Sequence, residues 1–256
     1  MANKIDELRI SMAEFMNYKL AHILALTETL ASDDIQDSVY DISDYTLCRY
    51  DRQTTSGKSK GEGLMLYIKS EWCTNITIKE KICTSDIELM VVALRPRYLP
   101  REFSNLFVVA VYCSPDGNSQ NAADCIGNVV EALERHKPNS VRTVLDDLNH
   151  VKPNYDFCSY TQYVDKPTRG DSVLDRFYCN IKDSYLCKTC SHIGKSDHVV
   201  VIMIPKYERK LKREKPSRFS YKTLTESGVR DLEIIFKDTI WEVFLHNDGG
   251  CQCCCR

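Results

Sequence analysis

Two short polar motifs, Leu-Asp-Asp-Leu-Asn-His at 145–150 and Ser-Asp-His at 196–198, hold residue types that could cleave a phosphate ester. Each motif adjoins an apolar stretch of the kind that forms a buried strand. A strand brings such a polar cluster to the edge of a rigid sheet, where several strand ends can converge on one ion or phosphate. Four side chains are therefore candidates for metal-assisted phosphate chemistry: Asp147, Asn149, Asp197 and His198.

The elements that would position these motifs follow from hydrophobic periodicity. Helices are predicted over 4–19, 119–136 and 224–238. Short apolar runs predict strands at 22–27, 45–50, 63–69, 74–79, 86–95, 106–112, 141–146, 173–179 and 198–204. Because strands outnumber helices and only some alternate with them, the sequence predicts an α+β fold with mixed sheets.

Composition bounds the class of protein and its compartment. The chain has 256 residues, of which 43% are hydrophobic and 27% charged, as in an ordinary soluble globular protein. The formal net charge of -2 gives no global reason to expect a nucleic acid or a membrane, so any nucleic-acid contact would come from local patches. No apolar run reaches membrane-spanning length, and the first residues lack a signal-peptide core. We expect a nuclear or cytoplasmic protein that is not secreted, with no membrane and no obligate protein partner.

The 13 cysteines are unusually many for such a chain. Without a secretion signal, the nine in the body are predicted to be reduced, partly buried thiols. Cys187 and Cys190, followed by His192, leave a zinc site open as an alternative, although no second Cys/His pair lies at finger-like distance. The remaining four lie in the tail at 251–256, whose purpose stays open.

The chain is predicted to contain one large domain and a short appendage. The large domain spans 1–205, and residues 206–222 form a basic linker, with seven Lys/Arg against two Glu over 206–218. The linker either keeps the region soluble or contacts the phosphate backbone of a nucleic acid. Residues 223–256 are predicted to form a short helical segment and the cysteine-rich tail.

Taken together, these residues resemble the endonuclease/exonuclease/phosphatase superfamily, and within it the apurinic-type endonuclease domain of LINE-like (non-LTR) retrotransposons. The resemblance runs from about residue 3 to residue 245. It depends on six motifs in the family's order: 26–29, 111–115, 147–150, 167–171, 174–178 and 194–198. The fold it implies is a four-layer α/β/β/α sandwich of two packed mixed sheets flanked by helices. The segment after 205 resembles the connection to a reverse transcriptase.

The resemblance implies a divalent-metal site with Mg²⁺ as cofactor and Mn²⁺ as the alternative ion. Glu28 would be the metal ligand at the end of its strand, and Asp197 would lie on the metal or leaving-group side. Magnesium prefers one or two carboxylates together with waters and phosphate oxygens. DNA would be the partner, with Arg169 and Lys195 as nucleic-acid-binding residues.

The resemblance also implies catalytic roles for five side chains. Tyr112 would donate a hydrogen bond to the scissile phosphate, and Asp147 would orient or deprotonate the attacking water. Asn149 would hold that water or a phosphate oxygen. His198 would stabilise the charge that develops on the phosphate, and Asp175 would accept a hydrogen bond from its ring.

Three departures from the family pattern leave a non-catalytic alternative open. The family's first strand, which carries an Asn, precedes the opening helix, whereas this chain begins at the helix and is expected to be truncated at its N-terminus. Asp146 stands where the family has glycine, and its carboxylate would either repel Asp147 or turn away. Leu148 replaces the usual Phe.

The leading hypothesis is therefore a Mg²⁺-dependent endonuclease that nicks DNA. The first alternative is a degenerate, non-catalytic fragment with at most weak nucleic-acid binding. The second is a phosphatase for phosphoinositides or small phosphoesters.

Overall fold

The structure, a computed structural model, describes residues 2–31, 34–51, 63–152, 159–208 and 223–242. The chain divides into two compact units, Met1–Lys212 and Arg213–Arg256. Most of the predicted linker and the whole cysteine-rich tail lie outside the described residues. None of the helices in the described ranges is long and apolar enough to cross a membrane.

The described residues form eleven strands and five helices. The strands are β1 (Ile23–Leu26), β2 (Tyr45–Tyr50), β3 (Leu64–Lys69), β4 (Ile76–Cys83), β5 (Ile87–Leu94), β6 (Leu106–Cys113), β7 (Val141–Asp147), β8 (Thr161–Gln162), β9 (Asp175–Cys179), β10 (Tyr185–Cys190) and β11 (Val200–Pro205). The helices are α1 (Ala2–Glu14), α2 (Met16–Lys19), α3 (Asp37–Tyr40), α4 (Ser119–His136) and α5 (Glu226–Asp238).

The largest sheet has six strands in the order β4-β5-β6-β7-β9-β8. Its β6–β7 pair is parallel, and its other pairs are antiparallel. The interior strands β5 and β6 are buried along their whole length, because both faces of this sheet are covered. One face packs against α4, whose N-terminus is capped by the Asn118 side chain accepting hydrogen bonds from two backbone N–H groups.

The second layer consists of two separate sheets, β1-β3-β2 and β10-β11. Side chains of both, including Ile23 and Val201, pack with the other face of the large sheet in one hydrophobic cluster. The outer face of β1-β3-β2 is covered by α1 through Ile5 and Leu8, which are 1% and 3% exposed. The order of layers is therefore α4, large sheet, second layer, α1.

This architecture confirms the predicted α+β sandwich of packed sheets flanked by helices, although only the large sheet is mixed and the two sheets of the second layer are antiparallel. The predicted helix over 4–19 differs in detail, because Phe15 is extended and separates α1 from α2. Phe15 and Met16 are 56% and 63% exposed, so the second half of the predicted apolar face finds no core to pack against.

Strand β10 was missed by the sequence prediction. It pairs with β11 as a hairpin and carries Cys187 and Cys190, the two cysteines of the zinc alternative. Positions three apart in a strand lie on opposite faces of the sheet, so the two thiols do not share a face. The hairpin therefore does not present them as a pair of metal ligands.

Candidate active site

The site is built where strand ends from the two layers meet. Tyr112 is the next-to-last residue of β6, and Asp147 is the last residue of β7, its parallel neighbour. Asp175 opens β9, which is antiparallel to β7, so its first residue lies at the same edge. From the second layer, Glu28 follows the end of β1 and His198 precedes the start of β11.

Glu28 and Tyr112 connect the two layers directly. The Tyr112 hydroxyl donates a hydrogen bond to Glu28 Oε1 at 3.1 Å. Glu28 is exposed, whereas Tyr112 is 3% exposed. The backbone of Glu28 is left-handed, with φ of 49°, which is uncommon for a residue other than glycine. The turn therefore directs the carboxylate towards the edge of the large sheet.

Asp147 and Asn149 form a tight turn at the end of β7. The backbone N–H of Asn149 donates to Asp147 Oδ1 at 3.0 Å, and the Asn149 side-chain amide donates to the carbonyl of Cys113 at 2.8 Å. Both residues are buried, at 3% and 5% exposure, and Asn149 has φ of 46°. Asn149 thus links the ends of β6 and β7 and holds one oxygen of the Asp147 carboxylate.

His198 is held by Asp175. Its ring Nδ1 lies 2.8 Å from Asp175 Oδ2, the arrangement in which a ring N–H donates to a carboxylate. Such a bond fixes the orientation of the imidazole and leaves Nε2 as the second ring nitrogen that can face a substrate.

Electrostatics couples these groups into one cluster. The net effect of the surroundings raises the pKa of Asp147 to about 6: burial is the largest cause, the charges of Asp175 and Glu28 act in the same direction, and the Asn149 N–H and His198 oppose them. The hydrogen bond to Asp175 raises the pKa of His198 above its ordinary value, assisted by the charges of Asp175, Asp147 and Asp197 and opposed by burial. The folded site therefore favours a protonated His198 beside an Asp147 that titrates near neutrality.

Asp197 and Arg169 form an ion pair, with Arg169 Nη2 2.6 Å from Asp197 Oδ2. Both side chains are more than half exposed, and Lys195 is also exposed. The structure thus places Asp197, a predicted metal-side residue, next to Arg169, a predicted nucleic-acid-binding residue. It remains close enough to His198 to raise the pKa of that ring.

Asp146, where the resembling family has glycine, occupies the register position opposite Arg176, whereas Asp147 is opposite Asp175. Leu148, the other departure and the residue that follows β7, is fully buried in the hydrophobic cluster that includes α4.

The donor set fits one mode of Mg²⁺ binding. Within the described ranges, no group of three or more His, Cys, Asp or Glu side chains is arranged to hold a metal ion. Glu28 nevertheless offers an exposed carboxylate in the cluster. Mg²⁺ commonly binds one or two carboxylates and fills its remaining positions with water and substrate phosphate oxygens. The residues present fit that mode, with Glu28 as the protein ligand.

No protein-family model matches the sequence, and no curated protein matches it. Solved structures do match. The truncated Caenorhabditis elegans TDP2 has a TM-score of 0.55 at 11% identity, covering 78% of this chain and 90% of that one. The human Nocturnin catalytic domain has a TM-score of 0.54 at 11% identity, covering 77% and 85%. An endonuclease/exonuclease/phosphatase family protein from Leptotrichia buccalis has a TM-score of 0.51 at 15% identity, covering 80% and 93%.

The chain has the endonuclease/exonuclease/phosphatase fold. At these identities the likeness concerns the fold alone. Within this fold, the predicted site residues Glu28, Tyr112, Asp147, Asp175 and His198 lie close together where the two layers meet.

Sequence reasoning missed Thr168, a buried residue that forms hydrogen bonds with the backbone next to the site. Thr168 is fully buried, and its hydroxyl accepts hydrogen bonds from the N–H groups of Leu174 and Asp175, both at 3.0 Å. Its carbonyl accepts from the N–H of Val199 at 2.9 Å. Thr168 therefore positions the residue that opens β9 and the residue that follows His198. Its place in the Pro-Thr-Arg-Gly-Asp motif was the available signal.

Proposed function

We propose that this protein is a Mg²⁺-dependent phosphodiesterase that nicks DNA, derived from the endonuclease domain of a non-LTR retrotransposon. The observation that carries the proposal is the meeting of Asp147, the Asp175–His198 pair and the Glu28–Tyr112 pair at one edge of the sandwich. These residues are far apart in the chain, so their convergence is a property of the fold. The retrotransposon origin is supported by the order of the motifs.

In the proposed reaction, Asp147 prepares the attacking water. Its carboxylate keeps Oδ2 for that water while Oδ1 accepts the Asn149 N–H. A pKa of about 6 makes it a stronger base than an ordinary aspartate, yet it is ionised at neutral pH. The water attacks phosphorus in line with the departing oxygen, and Asp147 takes its proton.

His198 and Tyr112 stabilise the reacting phosphate. A protonated imidazole held by Asp175 can donate from Nε2 to a phosphate oxygen, where negative charge develops. The Tyr112 hydroxyl, which donates to Glu28, lies where it could instead donate to a bound phosphate. The bond from phosphorus to the 3′ oxygen breaks, and that oxygen takes a proton from solvent. The products are a 5′-phosphate and a 3′-hydroxyl, which in a retrotransposon would prime reverse transcription.

Mg²⁺ would be held by Glu28 and would neutralise charge on the phosphate and the leaving oxygen. Arg169 and Lys195 would contact the DNA backbone beside the cleft, consistent with a chain whose net charge is close to zero and whose nucleic-acid contacts must be local. The human Nocturnin catalytic domain was solved with a bound sulfate anion, which resembles phosphate in shape and charge and so supports a phosphate-ester substrate.

The proposal is tested by incubating supercoiled plasmid with the protein and Mg²⁺. We expect nicked circles from the wild type, and none from Asp147→Ala or His198→Ala. His136→Ala is the matched control, because His136 is an exposed histidine on α4 outside the site. Wild-type protein that gives no more nicked plasmid than buffer refutes the proposal and leaves the non-catalytic alternative.

A phosphatase acting on small phosphoesters remains the second alternative, because the same cleft could accept them. A chromogenic phosphomonoester distinguishes the two, because a phosphatase hydrolyses monoesters whereas a nuclease hydrolyses diesters. Turnover of this compound with an intact plasmid would favour the phosphatase over the nuclease.

A further inference from the structure

Glu88 is a buried acidic residue in an otherwise apolar strand. It lies in β5 with 1% exposure, and the other seven residues of that strand are all apolar. Burying a carboxyl group costs free energy unless hydrogen bonds hold it. One such bond is defined, because Glu88 Oε2 accepts the N–H of Gly63 at 2.7 Å. This bond joins the large sheet to the residue that precedes β3 in the second layer.

Gly63 in turn contacts Thr29 closely. The Gly63 carbonyl accepts the N–H of Thr29 at 3.3 Å, and a Cβ at Gly63 would lie 2.6 Å from Thr29 Oγ1. With φ of +93°, Gly63 also has a backbone conformation that other residues rarely adopt. Thr29 is fully buried, so its position depends on its close contact with Gly63.

Thr29 directly follows Glu28, the carboxylate that reaches Tyr112. In the antiparallel pair of β5 and β6, Glu88 stands opposite Tyr112. Tyr112 and Glu88, which are neighbours on the large sheet, therefore both hold the turn that contains Glu28 and Thr29. Tyr112 binds the side chain of Glu28, and Glu88 holds its backbone through Gly63 and Thr29.

We propose that Glu88 is a positioning residue: by accepting the hydrogen bond from Gly63, Glu88 holds the turn that places Glu28 beside Tyr112. Glu88 acts as a hydrogen-bond acceptor and does not itself reach the substrate. The geometric claim stands on these contacts alone, whereas its consequence for catalysis rests on the proposed nuclease function.

Amide hydrogen exchange tests the geometric claim without any activity. In Glu88→Ala the amides of Gly63 and Thr29 should exchange about tenfold faster than in the wild type, because the Gly63 N–H loses its acceptor and the Gly63 carbonyl, which accepts the Thr29 N–H, is no longer held in place. Amides in the centre of β7, such as that of Val144, should not change. The matched control is Thr143→Val, which removes a different buried hydrogen bond from the same sheet and should leave Gly63 and Thr29 protected. Unchanged exchange at both amides in a folded Glu88→Ala protein overturns the proposal.

Glu88→Gln separates positioning from a direct catalytic role. Glutamine keeps an oxygen that can accept the Gly63 N–H, so we expect protection close to wild type and nicking within a few-fold of it. Glu88→Ala should nick roughly 100-fold more slowly, the scale that misplacing a reacting group by about 1 Å can cost. A Glu88→Gln protein that keeps the protection but loses as much activity as Glu88→Ala overturns a purely positioning role.

Gly63→Ala gives a second route if Glu88→Ala does not fold. It keeps Glu88 but forces a Cβ against Thr29, so it should also speed exchange at Thr29 and slow nicking, while Thr143→Val does neither. Nicking by Gly63→Ala at the wild-type rate contradicts the proposal that Glu88 positions Glu28 through Gly63 and Thr29. If the wild type does not nick but the exchange changes occur, the positioning of Glu28 stands and the nuclease function falls.

Discussion

Asp147 and Asp175 stand directly opposite each other in the antiparallel pair of β7 and β9. Two acidic side chains on adjacent strand positions repel each other, and here their partners differ. Asp175 binds the ring of His198, whereas Asp147 binds a backbone N–H and is almost fully buried. The pair therefore divides into a carboxylate that holds a histidine and a carboxylate with a raised pKa.

Replacing Asp147 should stabilise the protein while abolishing nicking. The folded-state pKa of Asp147, about 6, lies above its ordinary value of 3.8, so ionising this side chain destabilises the fold. The penalty is absent below pH 3.8 and complete above pH 6. In Asp147→Asn the free energy of unfolding at pH 8 should rise by about 1–3 kcal/mol. Urea denaturation at pH 8 and pH 4 measures it; an equal gain at both pH values would contradict ionisation as the cause.

The pH dependence of nicking should be bell-shaped. The rate should rise with pH through about 6 as Asp147 loses its proton. It should fall at higher pH as His198 loses its proton, and the raised pKa of His198 places this limb above the ordinary histidine value of 6.5. Initial rates between pH 4.5 and 9.5 at saturating Mg²⁺ test the profile. An acid limb near pH 4 would exclude Asp147 as the titrating base.

Asp175→Asn should move both limbs to lower pH. The substitution removes the negative charge that raises the pKa of His198 and also the charge that raises the pKa of Asp147. NMR titration of the His198 ring protons reports the first change without activity, and His198→Gln assigns the signal among the six histidines. An unchanged His198 titration would show that the hydrogen bond to Asp175 does not form in solution.

Thr168→Val should lower both stability and nicking. Valine has the shape of threonine but leaves the N–H groups of Leu174 and Asp175 without their acceptor, which costs about 2 kcal/mol. Thr143→Val is the matched control, since it removes one buried bond to the Phe107 carbonyl away from the site. Thermal unfolding and plasmid nicking should separate the two variants. Equal nicking by both would limit Thr168 to a structural role.

Asp197→Asn should strengthen binding to DNA. The substitution removes the negative charge paired with Arg169 and leaves the guanidinium available for a phosphate. Fluorescence anisotropy over a salt series should show tighter binding and a salt slope larger by about 1. Asp171→Asn, an exposed acid in the same segment, is the control. A higher Mg²⁺ requirement without tighter binding would instead support the metal-side role of Asp197.

Sequence patterns predicted the sandwich because several of its strands, such as β5 and β6, are long apolar runs. Such a composition indicates a buried strand. They missed β10, a short strand that alternates apolar and polar residues and whose cysteines suggested a different chemistry. Adjoining apolar runs predicted that Asp147 and His198 lie at strand ends, whereas Glu28 was named only from the family resemblance.

Contacts between distant residues could not be predicted in the same way. The bond of Glu88 to Gly63 and the pairing of Asp197 with Arg169 arise only when separate elements pack together. Neither pair has a spacing that favours the contact, and both involve residue types that are more often solvated or placed in turns.

The division of the second layer has a mechanical consequence. Glu28 follows a strand of the three-stranded sheet, His198 precedes a strand of the two-stranded sheet, and Asp147 ends a strand of the large one. The site is thus assembled from three separate sheets that pack through apolar contacts, and the hydrogen bonds of Tyr112 to Glu28 and of His198 to Asp175 are the polar links between them. In the proposed nuclease, the same two bonds would therefore both orient the reacting groups and join the sheets to one another.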